Sequence, residues 1–535
     1  MTTSPQPAPK SAEQTAEQTA EQTAAQTAAQ TAPQPTAQTA GWTLDLARWP
    51  AAEAARHRSV LAIDESGRSL LLADRAPDLL LLQALESRLG QPLRWQQLPT
   101  AELAPWLAQA EGGARALDGL SGNAGPGAGP GGSSAEVPEL TLTGAGQAAS
   151  PAVRWLDAVL FDALQDGASD IHIERTAQGA VIRLRIDGVM LGLRSTDDPA
   201  LAEAMVSRLK VMAELDIGER RLPQDGRFRL RARGREVDFR LSIMPTLHGE
   251  DAVVRVLDRS GLQAESGGIT LAQLGYPAEL AAQVLALARA PHGLLLVTGP
   301  TGSGKTTTLY AAIGGTENGT AKLVTIEDPV EYALPGAAQV PVNEKQGLGF
   351  ARGLRSILRH DPDRILVGEI RDAETAQIAV QAALTGHLVF SSVHANHALD
   401  VLGRFSHMGL DLYNLSAALN AVLAQRLLRR VCEACAVTHE PTAAQRQVLG
   451  SGGPLRRGRG CPACRGTGYR GRLAVAELLR LNDDLRELIV ARASPSRIRQ
   501  AAADAGMQPL HEMALQAVRA GQTTLDEVER VIAGY

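Results

Sequence analysis

Short apolar runs alternate with helix-compatible segments throughout the last part of the chain, from about residue 290 onward. The runs that predict strands are residues 294–297, 322–327, 364–368 and 387–393. Strands that alternate with helices in this way predict a mostly parallel sheet with helices on both faces, which is an α/β fold. Ligand-binding residues are then expected at the carboxyl ends of the strands, where such sheets open a crevice.

The region before this sheet has a different pattern, in which apolar and polar residues alternate strictly. The alternation is clearest in residues 180–186 and 237–243, and it predicts half-buried strands of a second globular unit. Nearer the N-terminus, residues 60–63 and 70–72 predict strands, and residues 79–89 predict an amphipathic helix. No recognisable chemistry accompanies this stretch, which favours a domain that docks onto a partner.

Abrupt changes of composition separate these units. The first 40 residues repeat Ala, Gln, Thr and Glu with almost no large apolar side chain, and we interpret them as a disordered tail. The stretch rich in Gly, Ser, Ala and Pro after the docking domain is typical of a flexible linker. The predicted organisation is a tail over 1–40, a docking domain over 41–110, a linker over 111–150, a second domain over 151–262, a connector over 263–289 and the α/β domain over 290–535.

The first predicted strand of the α/β domain leads directly into a phosphate-binding loop. The segment Gly299-Pro300-Thr301-Gly302-Ser303-Gly304-Lys305-Thr306 fits G-x-x-x-x-G-K-[ST] at every fixed position, and a helix-compatible run follows it. Glycines let successive N–H groups point at phosphate oxygens, and the helix N-terminus adds a positive dipole. Lys305 would contact the β- and γ-phosphates, and Thr306 would ligate Mg²⁺. The sequence therefore predicts binding of a nucleoside triphosphate.

Polar residues gather around the other predicted strands of the same sheet. Glu327 and Asp328 follow the second strand, Glu369 follows the third, and His387 and His394 lie around the fourth. Each has an ordinary structural explanation when it is taken singly, such as a helix cap or a hydrogen-bonded core histidine. Together they supply the carboxylates and polar groups that hydrolysis of ATP needs around the γ-phosphate and Mg²⁺.

Charge and composition exclude other kinds of protein. The 535 residues include 53 Lys and Arg against 58 Asp and Glu, a net charge of −5, and 3% aromatic residues. This balance argues against a dedicated nucleic-acid binder. No apolar run approaches the length of a membrane-spanning helix, and the first residues lack the charged and apolar regions of a secretory signal. We therefore expect a cytoplasmic protein.

All four cysteines occur as two C-x-x-C pairs, Cys432 with Cys435 and Cys461 with Cys464. This pattern predicts a tetrahedral Zn²⁺ site within residues 430–470. Four protein ligands leave no open position on the metal, so its role would be structural. A disulfide pair is the alternative, which a cytoplasmic location disfavours.

The order of these motifs resembles the secretion ATPase superfamily, the hexameric motors of type II secretion and type IV pilus assembly. The resemblance rests on the phosphate-binding loop, Ile-Glu-Asp-Pro-Val-Glu, Val-Gly-Glu-Ile-Arg-Asp and Thr-Gly-His with His-Ala-Asn, and it runs from about Val153 to about Arg480. It implies a RecA-like ATPase domain with a zinc-binding insertion, preceded by a small PAS-like α+β domain and a small N-terminal domain. ATP, Mg²⁺ and Zn²⁺ would be its cofactors.

Site residues carried over by this resemblance form three groups. Glu327 would polarise the attacking water and Glu369 would act near Mg²⁺, while His387 and His394 would position the γ-phosphate region. Arg240 and Arg255, in the second domain, match arginines that the family points at nucleotide phosphates as arginine fingers. The resemblance also places further arginines at the nucleotide site or the neighbouring subunit: Arg355, Arg359 and Arg371.

Partners follow from the same resemblance. It implies a homo-hexamer that is associated with the inner membrane through the cytoplasmic domain of a secretion or pilus platform protein. The cysteine region is locally basic, which suggests contact with anionic lipid headgroups, although a solvated surface or a contact between subunits fits equally. The basic residues are Arg456, Arg457, Arg459, Arg465, Arg470 and Arg472.

Three functional classes stay open from the sequence. A secretion motor is favoured, either for type II secretion or for pilus extension, since both share every catalytic motif. A nucleic-acid translocase is disfavoured by the acidic charge and the few aromatic residues. An adaptor that binds ATP without hydrolysing it is disfavoured because Lys305, Glu327 and Glu369 are all present.

Overall fold

A computed structural model describes residues 42–107 in part, Glu139–Leu140, and residues 150–532 apart from 233–234, 258–267, 318 and 451–452. The predicted tail, most of the linker and the first residues of the connector lie outside the described residues. The chain divides into two compact units, Met1–Leu184 with Gly192–Val256, and Arg185–Leu191 with Leu257–Tyr535. Every described helix is too short or too polar to span a lipid bilayer.

The N-terminal part of the first unit is a small sheet of four strands in the order β1-β2-β3-β4. Strand β2 pairs with β3 in antiparallel and β3 with β4 in parallel. Trp49 packs into the core of this sheet with Val60 and Leu71, and its indole N–H donates to the Ser59 carbonyl at 3.1 Å. The two strands predicted here are confirmed. The strands are β1 (Thr43–Leu44), β2 (Ser59–Ile63), β3 (Ser69–Ala73) and β4 (Arg94–Gln97).

A second sheet of seven strands follows, in the order β5-β9-β10-β11-β6-β7-β8. Alternate residues of β7 are buried, which confirms the prediction from the strict apolar–polar alternation. Ser150 caps the first helix, and Pro151 occupies its first turn, where no N–H is needed. The elements are β5 (Glu139–Leu140), α1 (Pro151–Gln165), β6 (Asp170–Arg175), β7 (Ala180–Ile186), β8 (Val189–Thr196), α2 (Pro199–Met212), β9 (Gln224–Ala232), β10 (Arg235–Thr246) and β11 (Gly249–Leu257).

The second unit is built on a sheet of seven strands in the order β14-β13-β15-β16-β12-β17-β20. All neighbours are parallel except β17 and β20, so the predicted mostly parallel α/β sheet is confirmed. The strands, including the two of a separate small ribbon, are β12 (Gly293–Thr298), β13 (Leu323–Glu327), β14 (Ala337–Pro341), β15 (Arg364–Val367), β16 (Leu388–Val393), β17 (Leu419–Val431), β18 (Ala436–His439), β19 (Leu455–Gly458) and β20 (Tyr469–Arg480).

Helices cover both faces of this sheet. They are α3 (Ala278–Leu287), α4 (Lys305–Gly314), α5 (Phe350–Ile357), α6 (Ala373–Leu384), α7 (Asp400–His407), α8 (Leu412–Ala418), α9 (Ala443–Leu449), α10 (Asp483–Val490), α11 (Pro495–Asp504), α12 (Leu510–Arg519) and α13 (Leu525–Val531).

Strand β12 shows why the apolar runs of this domain are continuous. Successive side chains of a strand point to opposite faces, so both faces of a covered sheet need apolar residues. Leu295 and Val297 pack in the core that contains Leu309 of α4. Leu294 and Leu296 pack in the other core, with Leu354 of α5. All six residues of β12 are therefore buried.

A buried ion cluster ties the C-terminal helix α13 to the main sheet. The Glu527 carboxylate accepts hydrogen bonds from the Arg429 guanidinium at 2.7 and 2.9 Å and from that of Arg530 at 2.6 and 2.8 Å. Burial alone would raise the pKa of Glu527, but the bonds from Arg530 and Arg429 outweigh it and hold the pKa below its ordinary value. The folded state therefore prefers the ionised carboxylate.

Replacing Glu527 by Gln should lower the free energy of unfolding at pH 7 by about 2–3 kcal/mol, because the partly buried Arg429 and the more exposed Arg530 lose their buried counterion. The pKa is lower in the folded state, so this stabilisation is complete above the unfolded pKa of about 4.3 and fades as the pH falls through the folded value. The difference in the free energy of unfolding between wild type and variant should accordingly shrink below about pH 4.3. Urea unfolding followed by circular dichroism measures it, with the exposed neighbour variant Glu529→Gln as the control. A difference that stays constant to pH 3 would contradict the cluster's role.

Candidate functional site

The predicted phosphate-binding loop lies between the carboxyl end of β12 and the first turn of α4. Gly299, Gly302 and Gly304 have φ angles of 149°, 77° and 84°, which side-chain-bearing residues rarely adopt. At Gly299 a Cβ atom would also lie 2.6 Å from the Gln425 carbonyl oxygen. These positions therefore require glycine, as expected of a loop whose backbone N–H groups surround a phosphate.

Lys305, the first residue of α4, lies folded over this loop. Its ammonium donates to the carbonyls of Gly299 at 3.0 Å and Pro300 at 3.1 Å. Burial lowers the pKa of Lys305 to about 8, the negative charge of Glu369 opposes the shift, and the positive charge of Arg426 adds to it. A partly buried cation beside a second cation is a site that an anionic phosphate would stabilise.

Glu369 and His394 join Lys305 at the same edge of the sheet. Glu369 follows β15, His394 follows β16, and the His394 Nε2 atom lies 3.5 Å from Glu369 Oε2. Glu369 also forms an ion pair with Arg371. Burial, and then the charge of Lys305, lower the pKa of His394, so its ring is neutral at pH 7. Four residues predicted to act at the nucleotide are thus brought together: Lys305, Glu369, Arg371 and His394.

Glu327, which is predicted to polarise the attacking water, lies buried in the structure. Its side chain is only 2% exposed and accepts hydrogen bonds from the hydroxyl of Tyr310, from Thr325 Oγ1 at 2.5 Å and from Gln339 Nε2 at 3.1 Å. Tyr310 belongs to α4, so the carboxylate points into the layer beneath this helix. A carboxylate that polarises water needs a free oxygen within reach of that water. Both oxygens of Glu327 already accept hydrogen bonds within the protein, which fits a role in fixing α4 to β13.

Two other carboxylates of the same turn are exposed. Asp328 and Glu331 follow directly after β13, and the negative charge of Asp328 contributes to raising the pKa of Arg371. Asp328 therefore faces the cluster of Glu369 and Arg371. Both residues belong to the same motif as Glu327, and only burial distinguishes Glu327 from the other two.

His387 lies at the other edge of the sheet. It precedes β16, and its carbonyl accepts a hydrogen bond from the N–H of Gly293, the first residue of β12, at 3.1 Å. The phosphate-binding loop follows the opposite end of β12. The ring of His387 is 3.0 Å from the Ala382 carbonyl. His387 precedes β16 rather than following it. The structure therefore does not bring His387 to the phosphate-binding loop of its own chain, and the proposed site does not include it.

The remaining predicted arginines lie elsewhere. Arg355 forms an ion pair with Glu374 of α6, and Arg359 donates to the Arg355 carbonyl at 2.9 Å. Arg240 and Arg255 belong to the first unit, on β10 and β11, and Arg255 Nε lies 2.9 Å from Asp170 Oδ1 of the neighbouring strand β6. Their contacts with nucleotide remain predictions.

Several residues that hold the loop escaped the sequence analysis. Gln425 of β17 donates to the Ser303 carbonyl at 2.5 Å and accepts from the Tyr276 hydroxyl at 2.8 Å. Thr298 Oγ1 accepts from the N–H of Ala395 at 2.8 Å, which joins the start of the phosphate-binding loop to the segment after β16. We call that segment, residues 394–398, the histidine loop. No motif marks these residues, since their contacts span long stretches of chain.

The four cysteines form one cluster, as the sequence predicts. Cys432 Sγ lies 3.9 Å from Cys461 Sγ, Cys435 Sγ lies 3.8 Å from Cys464 Sγ, and the sulfurs of Cys461 and Cys464 are 3.7 Å apart. Tetrahedral Zn²⁺ with bonds of about 2.3 Å needs sulfurs about 3.8 Å apart. The cluster therefore fits a structural zinc ion.

N–H groups support one thiolate of this cluster in particular. Burial would raise the pKa of Cys464, yet the N–H groups of Cys461 and Gly468 outweigh it and bring the pKa to about 6. Among the described residues this is the one group of His, Cys, Asp or Glu side chains whose ligand atoms converge closely enough for a metal ion.

A parallel sheet with a phosphate-binding loop after an inner strand, and with Lys305, Glu369 and His394 at one edge, defines a nucleotide-binding protein of the phosphate-loop class. The family described as type II/IV secretion system protein matches residues 146–530. The chain therefore belongs to this family, and the suspected relationship to the secretion ATPases is confirmed.

Individual relatives agree with this assignment. The type II secretion system protein HxcR of Pseudomonas aeruginosa is 42% identical over 484 residues, covering 90% of this chain and 98% of that protein. The type IV pilus assembly ATPase PilB of Myxococcus xanthus is 44% identical over 387 residues, covering 71% of this chain and 67% of PilB. The X-ray structure of the Legionella pneumophila ATPase DotB covers 70% of this chain and 94% of that one, with 20% identity and a TM-score of 0.52, which supports the fold alone.

Purified protein should contain one Zn²⁺ per chain, because four converging thiolates bind this ion tightly and its binding is coupled to local folding. Elemental analysis measures the metal. Chelation should speed hydrogen exchange in residues 432–469 and leave the phosphate-binding loop unchanged, and added Zn²⁺ should reverse the effect. A protein without metal, in which all four thiols react with an alkylating agent under native conditions, would contradict the assignment.

Proposed function

We propose that this protein is an ATPase that powers type II secretion. The observation that carries the proposal is the extent of the match to HxcR, which includes nearly all of that protein and reaches beyond the ATPase domain into the N-terminal part of this chain. The convergence of Lys305, Glu369 and His394 at the phosphate-binding loop supports hydrolysis rather than binding alone.

The residues at the loop have separable roles in this proposal. The glycine-rich backbone and Lys305 bind the phosphates, and Thr306 together with Glu369 would hold Mg²⁺. When bound, Mg²⁺ neutralises charge on the β- and γ-phosphates. His394 would position the γ-phosphate region, and its Nε2 atom faces Glu369. Glu327 fixes α4 beneath the loop through Tyr310.

Pilus extension is the second candidate, because PilB matches with a similar identity. The match to PilB covers 71% of this chain against 90% for HxcR, which favours type II secretion. A nucleic-acid translocase is less favoured, given the net charge of −5. Restoring secretion, but not pili, in bacteria that lack the matching ATPase would support the proposal, and the reverse result would overturn it.

Assembly and location belong to the same proposal. The chain would act as a homo-hexamer in the cytoplasm, docked through its N-terminal domain to the cytoplasmic part of an inner-membrane platform protein. Arg240 and Arg255 would serve as arginine fingers, and Arg355, Arg359 and Arg371 would contact nucleotide or the neighbouring subunit. These assignments rest on the family to which the chain belongs.

Three substitutions should have three different effects on ATP turnover. Lys305→Ala should lose nucleotide binding, whereas Glu369→Gln should bind ATP and lose at least about 100-fold in kcat, since it removes a charge beside the reacting phosphate. Glu327→Gln should keep kcat within about tenfold of wild type, because loss of a general base would cost about 10²–10⁴. Phosphate release and fluorescent-nucleotide binding measure these effects, with Glu529→Gln as the control.

Equal losses of kcat in Glu327→Gln and Glu369→Gln, with unchanged melting temperatures, would restore Glu327 as the water-activating group. Turnover near the wild-type rate in Glu369→Gln would remove Glu369 from the site.

Turnover per chain should fall on dilution if the active species is a hexamer, because dissociation separates subunits that complete one another's sites. Light scattering at the same concentrations should show the mass of six chains falling in parallel. A specific activity that stays constant while the protein is monomeric would contradict the assembly.

A further inference from the structure

The histidine loop is held from behind by side chains that the proposed catalytic cycle does not use. Arg426 of β17 donates to the Asn396 carbonyl at 3.1 Å, and Glu477 Oε1 accepts from the N–H of Ala398 at 2.8 Å. His394, at the other end of the same short loop, faces Glu369. The histidine loop thus has His394 at one end and the contacts to Arg426 and Glu477 towards the other.

Glu477 also contacts the start of α12. It lies on β20, is 5% exposed, and its second oxygen, Oε2, accepts from the N–H of Leu510 at 3.0 Å. Leu510 is the first residue of α12, and Pro509 before it provides no side-chain cap. Glu477 thus supplies a cap from another strand, where the positive end of the helix dipole favours a carboxylate.

The groups that balance the charge of Glu477 come from different segments. The two N–H donors come from the histidine loop and from α12. Arg426 of β17 supplies a positive charge. Burial lowers the pKa of Arg426, and the negative charge of Glu477 opposes that shift. His397 Nδ1 lies 3.7 Å from Glu477 Oε1. A buried carboxylate in this position is stable only while all of these segments stay together.

Helix α12 belongs to the C-terminal segment of the chain, and this segment contacts residues around the cysteine cluster. Arg519 of α12 donates to the Leu449 carbonyl at 3.0 Å. The Tyr469 and Thr524 hydroxyls are 2.6 Å apart, and Glu527 binds Arg429. Glu477 is therefore a polar contact that links this C-terminal segment to the histidine loop.

We propose that Glu477 is a positioning residue for ATP hydrolysis: it fixes the histidine loop to the start of α12 and so keeps His394 at Glu369. The inference rests on the proposed ATPase function. The competing explanation is that Glu477 only stabilises α12, in which case its loss would affect folding and leave His394 undisturbed.

A double-mutant cycle between Glu477 and His394 separates these explanations. In Glu477→Gln one oxygen becomes an NH₂ group, which cannot accept from a backbone N–H, so one of the two contacts is lost. We expect kcat to fall on the order of tenfold with KM changed by less than about twofold, since the phosphate-binding loop is untouched. Adding Glu477→Gln to His394→Ala should then cost less than about twofold more.

Glu512→Gln is the matched control, because Glu512 lies on α12, the helix that Glu477 caps, and pairs with Arg519 at the surface. It should leave kcat at the wild-type value. Two results would overturn the proposal: a kcat of Glu477→Gln equal to wild type, or losses in kcat that multiply fully in the double variant. Absence of turnover in the wild-type protein would instead count against the proposed function.

Hydrogen exchange on the unmodified full chain tests the same link without any variant. Binding of Mg²⁺ with a non-hydrolysable ATP analogue should slow exchange at Ala398 and Leu510 together, because one carboxylate accepts from both N–H groups. Slower exchange in residues 394–399 with no change in residues 509–513 would overturn the proposal, even if Glu477→Gln fails to fold.

Discussion

The parallel register of β12, β13, β15 and β16 is the constraint on which the rest of the site depends. Because these strands run in one direction, the segments that follow them meet at a single edge of the sheet. Lys305, Glu369 and His394 come from three separate segments and still converge there. The same register explains why His387, which precedes its strand, lies at the far edge.

Electrostatics at this edge are arranged for an anion. Burial lowers the pKa of Lys305 and that of Arg426, and each lies near the other's charge. Two partly desolvated cations destabilise each other until a polyphosphate neutralises them. The negative charge of Glu369 offsets these positive charges only in part, and Glu369 already contacts Arg371 and His394. Anion binding at this edge and the positions of Glu369 and His394 are therefore linked through charge.

Buried carboxylates connect this edge to the remainder of the second unit. Glu327 joins α4 to β13, Glu477 joins the histidine loop to α12, and Glu527 joins α13 to β17. Each is almost fully buried and satisfied by donors from two or more segments. Removing one partner would leave a buried carboxylate without its donor, which is costly, so these contacts hold distant segments together.

Local sequence determined the strands, the phosphate-binding loop and the cysteine cluster, because their patterns are short and their chemistry depends on neighbours in the chain. Residues 180–186 and the loop at Gly299 to Thr306 needed only periodicity and glycine spacing to be identified. Tertiary structure alone decided which of several similar polar residues reach the nucleotide edge. Glu327 and Asp328 are adjacent in one motif, yet one is buried under α4 and the other is exposed. Gln425, Arg426 and Glu477 carry no motif, since burial and hydrogen-bond partners arise only when remote strands pair.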